Sequence, residues 1–506
     1  MKTIKKKALL SMVLATTVFA STQAKSAKET KKQKSNVLFI FADDMTYQAM
    51  SFISQDKVRM PNLDRLRSRS AYFSHAYNQG GYNGAISTAS RSMMNTGMYL
   101  WPAMDAVNGK LGGGEYSWPK DQPRYQPKKN VETPTYWSEW MKQQGYDTYF
   151  TGKWHVNVKP SSIFDVARHV RGGMPGSSHQ AYERKFEKGI QDEWTPTDSI
   201  YGGYWKGGEH WSEVVRDDAL DYIQMAKKKD NPFFMYIAFN APHDPRQSPQ
   251  QYQDMYDLES IKLPPSYMPL NPYREEMNAG RSLRDERLAT FPRTRRSVLT
   301  NRKEYYALIS HMDHQIGLIL DALKKTGKLD NTYIIFTADH GLGLGDHGFI
   351  GKQNLYEASV RVPLMIAGPG IKKNSTVDGF VYLQDVMATA LDIADSPAVD
   401  SVSWRSFLPA AEGKPEKMRD EVINMYEGCQ RMIRTDRYKM IMYPTCNAVL
   451  LYDEINDPWE LKDLAQNPEN IPLMKKLYAS FKELQKETHD PVNVDPCFDF
   501  FIRTLE

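Results

Sequence analysis

The chain has 506 residues, 41% of them hydrophobic and 25% charged, which excludes a disordered chain and a membrane-embedded one and leaves length for two or three domains. Its formal net charge of +4 resides in the first 24 residues, which hold four lysines and no acid, so the remainder is neutral overall and lacks the basic footprint of a nucleic-acid binder. The three cysteines, Cys429, Cys446 and Cys497, allow one disulfide with a thiol left over, and no CxxC or Cys/His cluster points to zinc.

The N-terminus reads as an export signal. Lys2, Lys5, Lys6 and Lys7 precede a short apolar run from Ala8 to Ala20, and Thr22-Gln23-Ala24 offers a cleavage site, which predicts a signal peptide over residues 1–24. The run is too short to span a bilayer and no cysteine follows it to carry a lipid, so a periplasmic or secreted protein with no integral membrane segment after cleavage is expected. Residues 25–35 form a Lys-rich polar linker.

Asn36–Ala42 is a continuous apolar run, the pattern of a strand buried on both faces of a parallel α/β sheet. It ends in Asp43-Asp44, and the carboxyl ends of such strands are where these sheets place their sites. Adjacent carboxylates repel, and a cation between them relieves the repulsion. Pro61–Phe73 is predicted to be a helix with Leu63, Leu66 and Tyr72 facing inward. The turn-rich stretch Gln79–Gly84 leads into Ser87-Thr88-Ala89-Ser90-Arg91, which places Ser87 at a loop-to-helix junction with Arg91 one turn on. A helix start and a guanidinium on one face suit an oxyanion. Residues 101–130, rich in Gly, Pro and Trp, read as a surface excursion.

A helix is predicted over Thr135–Gln144, with Gly145 in a C-capping position. The next strand, Tyr146–Phe150, runs into Thr151-Gly152-Lys153-Trp154-His155, where Lys153 and His155 can share one cleft. Residues 156–210 have little periodicity and read as a recognition loop. Trp211–Lys229 is an amphipathic helix, and Pro232–Asn240 a buried strand that delivers His243 on a turn bracketed by Pro242 and Pro245. Residues 251–300 are a Pro- and charge-rich insertion. In the long helix Asn301–Lys325, His311, Asp313 and His314 are expected to be surface or packing residues. Strand Tyr333–Thr337 ends in Asp339-His340, followed by a glycine-rich stretch reaching Lys352. Leu364–Ala367 is a further strand and Leu383–Ala394 a helix. Beyond residue 396, strands over Met432–Tyr443 and Val449–Tyr452 precede an amphipathic helix, Ile471–Glu487.

Ser87-x-Ala89-x-Arg91 followed by Thr96-Gly97 resembles the signature of the type I sulfatases. Gly152-Lys153-Trp154-His155, Pro242-His243-x-Pro245 and Asp339-His340 with Lys352 resemble further elements of that family in the same order, so the likeness spans about residues 36–490. It implies an α/β fold, a large mixed, mostly parallel sheet flanked by helices of the alkaline-phosphatase-like kind over residues 36–395, with a smaller C-terminal α+β subdomain over 396–506. It implies hydrolysis of sulfate esters, with O-sulfated carbohydrates as the expected substrates. Residue 87, serine here, would be oxidised to formylglycine (3-oxoalanine) by a radical-type sulfatase-maturating enzyme. The resemblance assigns Asp43, Asp44, Ser87, Asp339 and His340 to a divalent metal, Ca2+ with Mg2+ as the alternative. It assigns Arg91, Lys153 and Lys352 to sulfate, His155 to collapse of the hydrated aldehyde, and His243 to protonation of the leaving oxygen. Asp244 and Arg246 are expected sugar contacts. Two other readings stay open: a phosphodiesterase or phosphonate hydrolase of the same superfamily, which would want two close metals, and a sulfated-glycan-binding protein without turnover.

Overall fold

The apolar run Asn36–Ala42 forms β1, near the middle of a nine-stranded sheet. The computed structural model describes residues 34–111, 118–173, 179–186, 189–201 and 205–506. The expected signal peptide and most of the linker lie outside these. Short turns of helix aside, the elements that position the site follow in chain order. The first part holds α1 (Pro61–Arg67), β2 (Ser70–Tyr77), β3 (Gly80–Gly81), α2 (Ile86–Thr96), α3 (Leu100–Ala106), α4 (Trp137–Gln143), β4 (Asp147–Lys153), β5 (Val166–Arg171), α5 (Trp211–Lys227) and β6 (Phe233–Ala238). Then come α6 (Arg295–Lys325), β7 (Thr332–Ala338), β8 (Arg361–Val362), β9 (Leu364–Ala367), β10 (Ser375–Tyr382) and α7 (Asp385–Ile393). The C-terminal part has β11 (Glu421–Tyr426), β12 (Gln430–Thr435), β13 (Tyr438–Tyr443), β14 (Ala448–Asp453), α8 (Ile471–Glu487) and α9 (Asp495–Leu505).

The large sheet runs β8-β2-β9-β7-β1-β6-β4-β5, with β10 beside β2. Its centre is parallel: β1 pairs with β6 and with β7, and β6 with β4. Only β9 and β8 run antiparallel to their neighbours. Phe39 packs against Trp137 of α4 at 5.1 Å between rings, and α5 and α1 each pack on α6. All seven residues of β1 are buried, which explains a strand without polar alternation. The fold is thus the mostly parallel, helix-flanked sheet that the resemblance implies.

The second sheet runs β14-β13-β12-β11-β3. Its last strand is Gly80-Gly81, borrowed from the N-terminal part of the chain. A Cβ on Gly80 would lie 1.9 Å from the carbonyl oxygen of Met425, so only glycine lets the two backbones approach this closely. Helices α8 and α9 cover this sheet with Met474, Leu477, Phe481 and Phe498.

Several local expectations are corrected. The helix predicted over Pro61–Phe73 stops at Arg67, and the aromatic run around Tyr72 and Phe73 joins the sheet as β2. Residues 101–106, expected at the surface, are a buried helix with Trp101 only 1% exposed. The loop expected over 156–210 contains the edge strand β5, and Met432–Tyr443 is a hairpin bent at Asp436-Arg437 rather than one strand. Strand β10 and helix α9 lie in stretches for which no element is expected above. The three cysteines are free thiols.

Candidate active site

The register of the central strands decides where the acids meet. Phe41 lies opposite Ala238 of β6 and Ala42 opposite Ala338 of β7, so the residues after all three strands emerge side by side. Asp43 donates its backbone N–H to the carbonyl of Ala241 at 3.0 Å. Asp44 adopts a left-handed backbone, φ +63°, and donates its N–H to Asp339 Oδ1 at 3.0 Å. Asp43, Asp44, Asp339 and His340 each offer a ligand atom within 4.8 Å of the others, all buried.

Helix α2 brings Ser87 and Arg91 to this cluster. Ser90 Oγ and Asn78 Nδ2 both donate to the Asp339 carbonyl, at 2.8 and 2.7 Å, and dock the helix. Ser87 Oγ then lies 3.3 Å from Asp43 Oδ1 and 3.0 Å from His340 Nε2. Arg91, with no exposed surface, donates Nε to Asp339 Oδ2 at 3.1 Å and Nη1 to the Lys153 carbonyl at 2.7 Å, and stacks over Phe41. Gly97, with φ +77°, ends the helix.

Lys153 is the last residue of β4. Its Nζ donates to Asp43 and, at 3.3 Å, to Ser87 Oγ. The preceding Gly152 has φ +95°, and a Cβ there would meet the Ala238 carbonyl oxygen at 1.9 Å. The Gly-Lys pair therefore has a steric basis: only glycine lets β4 kink beside β6 and aim Lys153 at Asp43. Trp154 is packing, its indole donating to the Val158 carbonyl. His155 has φ +59° and makes no hydrogen bond to the cluster; its buried Nδ1 has no partner among the described residues. Burial first, then Lys153, Arg91 and Lys352, push its imidazole down to about 2, so it stays neutral.

On the other side, Lys352 Nζ donates to both oxygens of Asp44 at 3.0 and 2.8 Å and to His243 Nε2 at 3.0 Å. His243 follows a cis Ala241–Pro242 bond. Its Nδ1 lies 2.8 Å from Asp244 Oδ1 and 2.9 Å from the Asp244 carbonyl. Both partners only accept, so Nδ1 carries the proton and Nε2 receives from Lys352.

Charge is distributed unevenly. Burial raises the Asp43 carboxyl although Lys153 opposes it, and burial lowers the Lys153 ammonium although Asp43 opposes that. Burial would also raise Asp339, but its cationic neighbours, Arg91 and Lys153 among them, outweigh it and hold it well below the usual carboxylate range. Lys352 is raised because Asp285 and Asp44 outweigh its burial.

The donor set fits a hard divalent cation. His340 Nδ1 points at the Gly341 carbonyl at 2.9 Å, which fixes the proton there and leaves a lone pair on Nε2. That lone pair lies 3.1 Å from Asp44 Oδ1. Three carboxylates and this nitrogen converge on one buried point, a set of ligand atoms a divalent cation can take together.

Of the remaining expected residues, Asp244 joins the site through His243, and the phenol of Tyr182 also donates to it. His243 and Arg284 outweigh burial and hold its carboxyl well below its ordinary value. Arg246 is not brought to the cluster: it is 3% exposed, donates to Asn301 Oδ1 at 2.7 Å and stacks over Tyr305. Sequence reasoning missed Arg284 and Asp285. Asp285 lies 3.6 Å from Lys352 Nζ and accepts from Gln353 at 2.9 Å. The charge-rich insertion was their only signal, and nothing in it singled out these positions.

The family model described as Sulfatase matches residues 35–396, and one described as N-sulphoglucosamine sulphohydrolase, C-terminal, matches residues 345–487. A curated protein called Sulfatase, from Formosa agariphila, is 27% identical over 465 residues, covering 88% of this chain and 86% of its own length. A structure described as a complex with its substrate D-glucosamine-2-N,6-O-disulfate superposes with a TM-score of 0.66 at 22% identity, over 92% of this chain and 99% of that one. The phosphonate monoester hydrolase of Agrobacterium radiobacter gives a TM-score of 0.69 at 20% identity, over 90% and 96%. These last two likenesses concern the fold.

Proposed function

The chain belongs to the sulfatase family of sulfuric ester hydrolases, and from that premise we propose that it is an exported carbohydrate sulfatase that uses an oxidised residue 87 and one divalent metal. The observation that carries the reading is the surroundings of Ser87 Oγ, which has Asp43, His340 and Lys153 within 3.3 Å. A sulfate ester is anionic and weakly electrophilic, so its hydrolysis needs charge neutralisation, a strong nucleophile and a protonated leaving group.

Asp43, Asp44, Asp339 and His340, with residue 87, would hold the ion, Ca2+ on the preference of three carboxylates for a hard cation. Bound there, the metal neutralises sulfate charge and acidifies a hydroxyl at residue 87. Formylglycine supplies, as its hydrate, a nucleophilic hydroxyl and a second one for releasing sulfate, which plain serine lacks. Lys153, donating to both Asp43 and Ser87, fixes the nucleophile and offsets its charge. Arg91 holds Asp339 and the end of β4 in place. The His243 Nε2–Lys352 Nζ pair holds a proton 3.0 Å across, the supply for the leaving oxygen. His155 would keep the role the resemblance gives it, collapse of the hydrated aldehyde; burial, then Lys153, Arg91 and Lys352, hold its imidazole neutral. The likeness to a protein solved with a sulfated glucosamine supports a sugar substrate. Export rests on the N-terminal residues; among the described residues no helix is long and apolar enough to cross a membrane.

The test begins with protein purified from its native host. Mass spectrometry of the peptide containing residue 87 is expected to show the loss of two hydrogens, the product of a radical-type maturating enzyme acting on serine. Chelation should stop sulfate release from sulfated sugars, and Ca2+ should restore it better than Mg2+. An unmodified Ser87 in an active preparation, or faster release from phosphonate or phosphate monoesters, would reject the reading.

A further inference from the structure

The charge-rich insertion supplies an arginine that clamps two carboxylates and that the reaction above does not use. Arg284 Nη2 donates to Asp285 Oδ1 at 2.9 Å, and its Nε lies 3.6 Å from Asp244 Oδ2. Each of those carboxylates touches a group on the leaving-group side: Asp244 meets His243 at 2.8 Å, and Asp285 meets Lys352 at 3.6 Å. The side chains of His243, Asp244, Asp285 and Lys352 are 3%, 3%, 8% and 3% exposed, whereas that of Arg284 is 36% exposed. Among these five side chains, that of Arg284 is the one with appreciable exposure, and its guanidinium meets a carboxylate on two sides.

Charge decides what it recognises. Arg284 and Lys352 face Asp244, Asp285 and Asp44, two cations against three carboxylates, so the clamp carries no surplus positive charge. It offers directional N–H donors and no surplus charge for a second anion. We propose that Arg284 selects the sugar, donating to an uncharged hydroxyl or ring oxygen of a monosulfated saccharide whose scissile ester lies at Ser87. The inference rests on the carbohydrate-sulfatase reading. It also accounts for the buried partners: a long side chain waving in solvent would lose rotamer entropy on binding, and the clamp removes that loss beforehand.

The experiment uses the matured, metal-loaded enzyme and compares wild type, Arg284→Ala and Arg284→Lys. The probes are monosulfated galactose, N-acetylgalactosamine and glucosamine, the doubly charged D-glucosamine-2-N,6-O-disulfate, and 4-nitrophenyl sulfate. Both variants should lower the ratio of kcat/KM on the best monosulfated sugar to that on 4-nitrophenyl sulfate by about 10- to 100-fold, mainly through KM, the range for losing a hydrogen bond from a charged donor. Lysine is included because it keeps the charge and loses the fork, and should not rescue. Calorimetric binding of the same sugar to unmatured Ser87 protein should weaken in parallel. Equal losses on sugar and aryl ester would mean a structural role and overturn the proposal. So would a wild-type preference for the disulfated sugar that Arg284→Ala erases, since that requires an anion at the clamp. If wild type releases sulfate from no sugar, the carbohydrate reading itself falls; if it does and both variants keep the ratio, this proposal falls alone.

Discussion

Two clusters of buried charge lie in this molecule, and they are built on opposite principles. At the seam of the two sheets, Lys439 of β13 donates to Glu460 at 2.7 Å and to Glu357 at 3.3 Å, while Glu357 also accepts from Tyr77 of β2 at 2.8 Å and Glu460 from the Glu357 N–H at 2.9 Å. Acceptors there meet donors, and the cluster staples one sheet to the other. At the tips of β1 and β7, by contrast, the His340 Nε2 lone pair faces an Asp44 oxygen, and three carboxylates crowd together. Burial and charge density are alike in the two places. Three carboxylates and an imidazole, each with a ligand atom within 4.8 Å of the others, mark the second as a site for a cation, which can take them all as ligands.

That contrast can be broken from either side. The largest effect is expected from Ser87→Ala, which removes the residue proposed to be oxidised: sulfate release should fall by about 1000-fold or more, while the melting temperature stays close to wild type. A comparable fall in stability would mean that Ser87 is structural. Lys439→Met should do the reverse. Leaving Glu357 and Glu460 without their shared cation should cost roughly 3–5 kcal/mol in denaturant unfolding, the usual penalty for breaking a buried pair. A loss below about 1 kcal/mol would show the seam is held by packing alone.

Gly152→Ala tests whether β4 geometry aims Lys153. With φ +95° and a Cβ 1.9 Å from the Ala238 carbonyl, the change should cost about 2 kcal/mol of stability. It should also lower kcat about tenfold or more by moving the Lys153 ammonium. Unchanged kcat would detach that ammonium from the reaction. The last effect concerns Asp313, which serves neither cluster. It accepts from the N–H groups of Asn62 and Leu63 and so caps α1 from the distant helix α6, in place of Met60, which has no capping side chain. Burial pushes its carboxyl up to about 6. Its folded pKa lies above its unfolded one, so its contribution is complete below about pH 4 and is lost as pH rises through 6, on the order of 3 kcal/mol. Chemical denaturation from pH 4 to 7 should reveal that slope in wild type and not in Asp313→Asn.

The sequence carried the strands and the chemistry of their ends. Asn36–Ala42, Tyr333–Thr337 and the helix Ile471–Glu487 are legible because burial on both faces, or on one helical face, leaves a local period. Asp43-Asp44, Ser87, Lys153, His243 and Asp339-His340 are legible because each sits directly beside such an element. Only the tertiary structure decided what has no local period: that Gly80-Gly81 completes the C-terminal sheet, that β10 lies beside β2, that Arg246 is spent on Asn301 while Arg284 reaches the site, and that Asp313 caps α1. These depend on which residues a strand register or a folded insertion brings within about 3 Å, and hydrogen bonds between positions 250 residues apart leave no mark on the pattern of either segment.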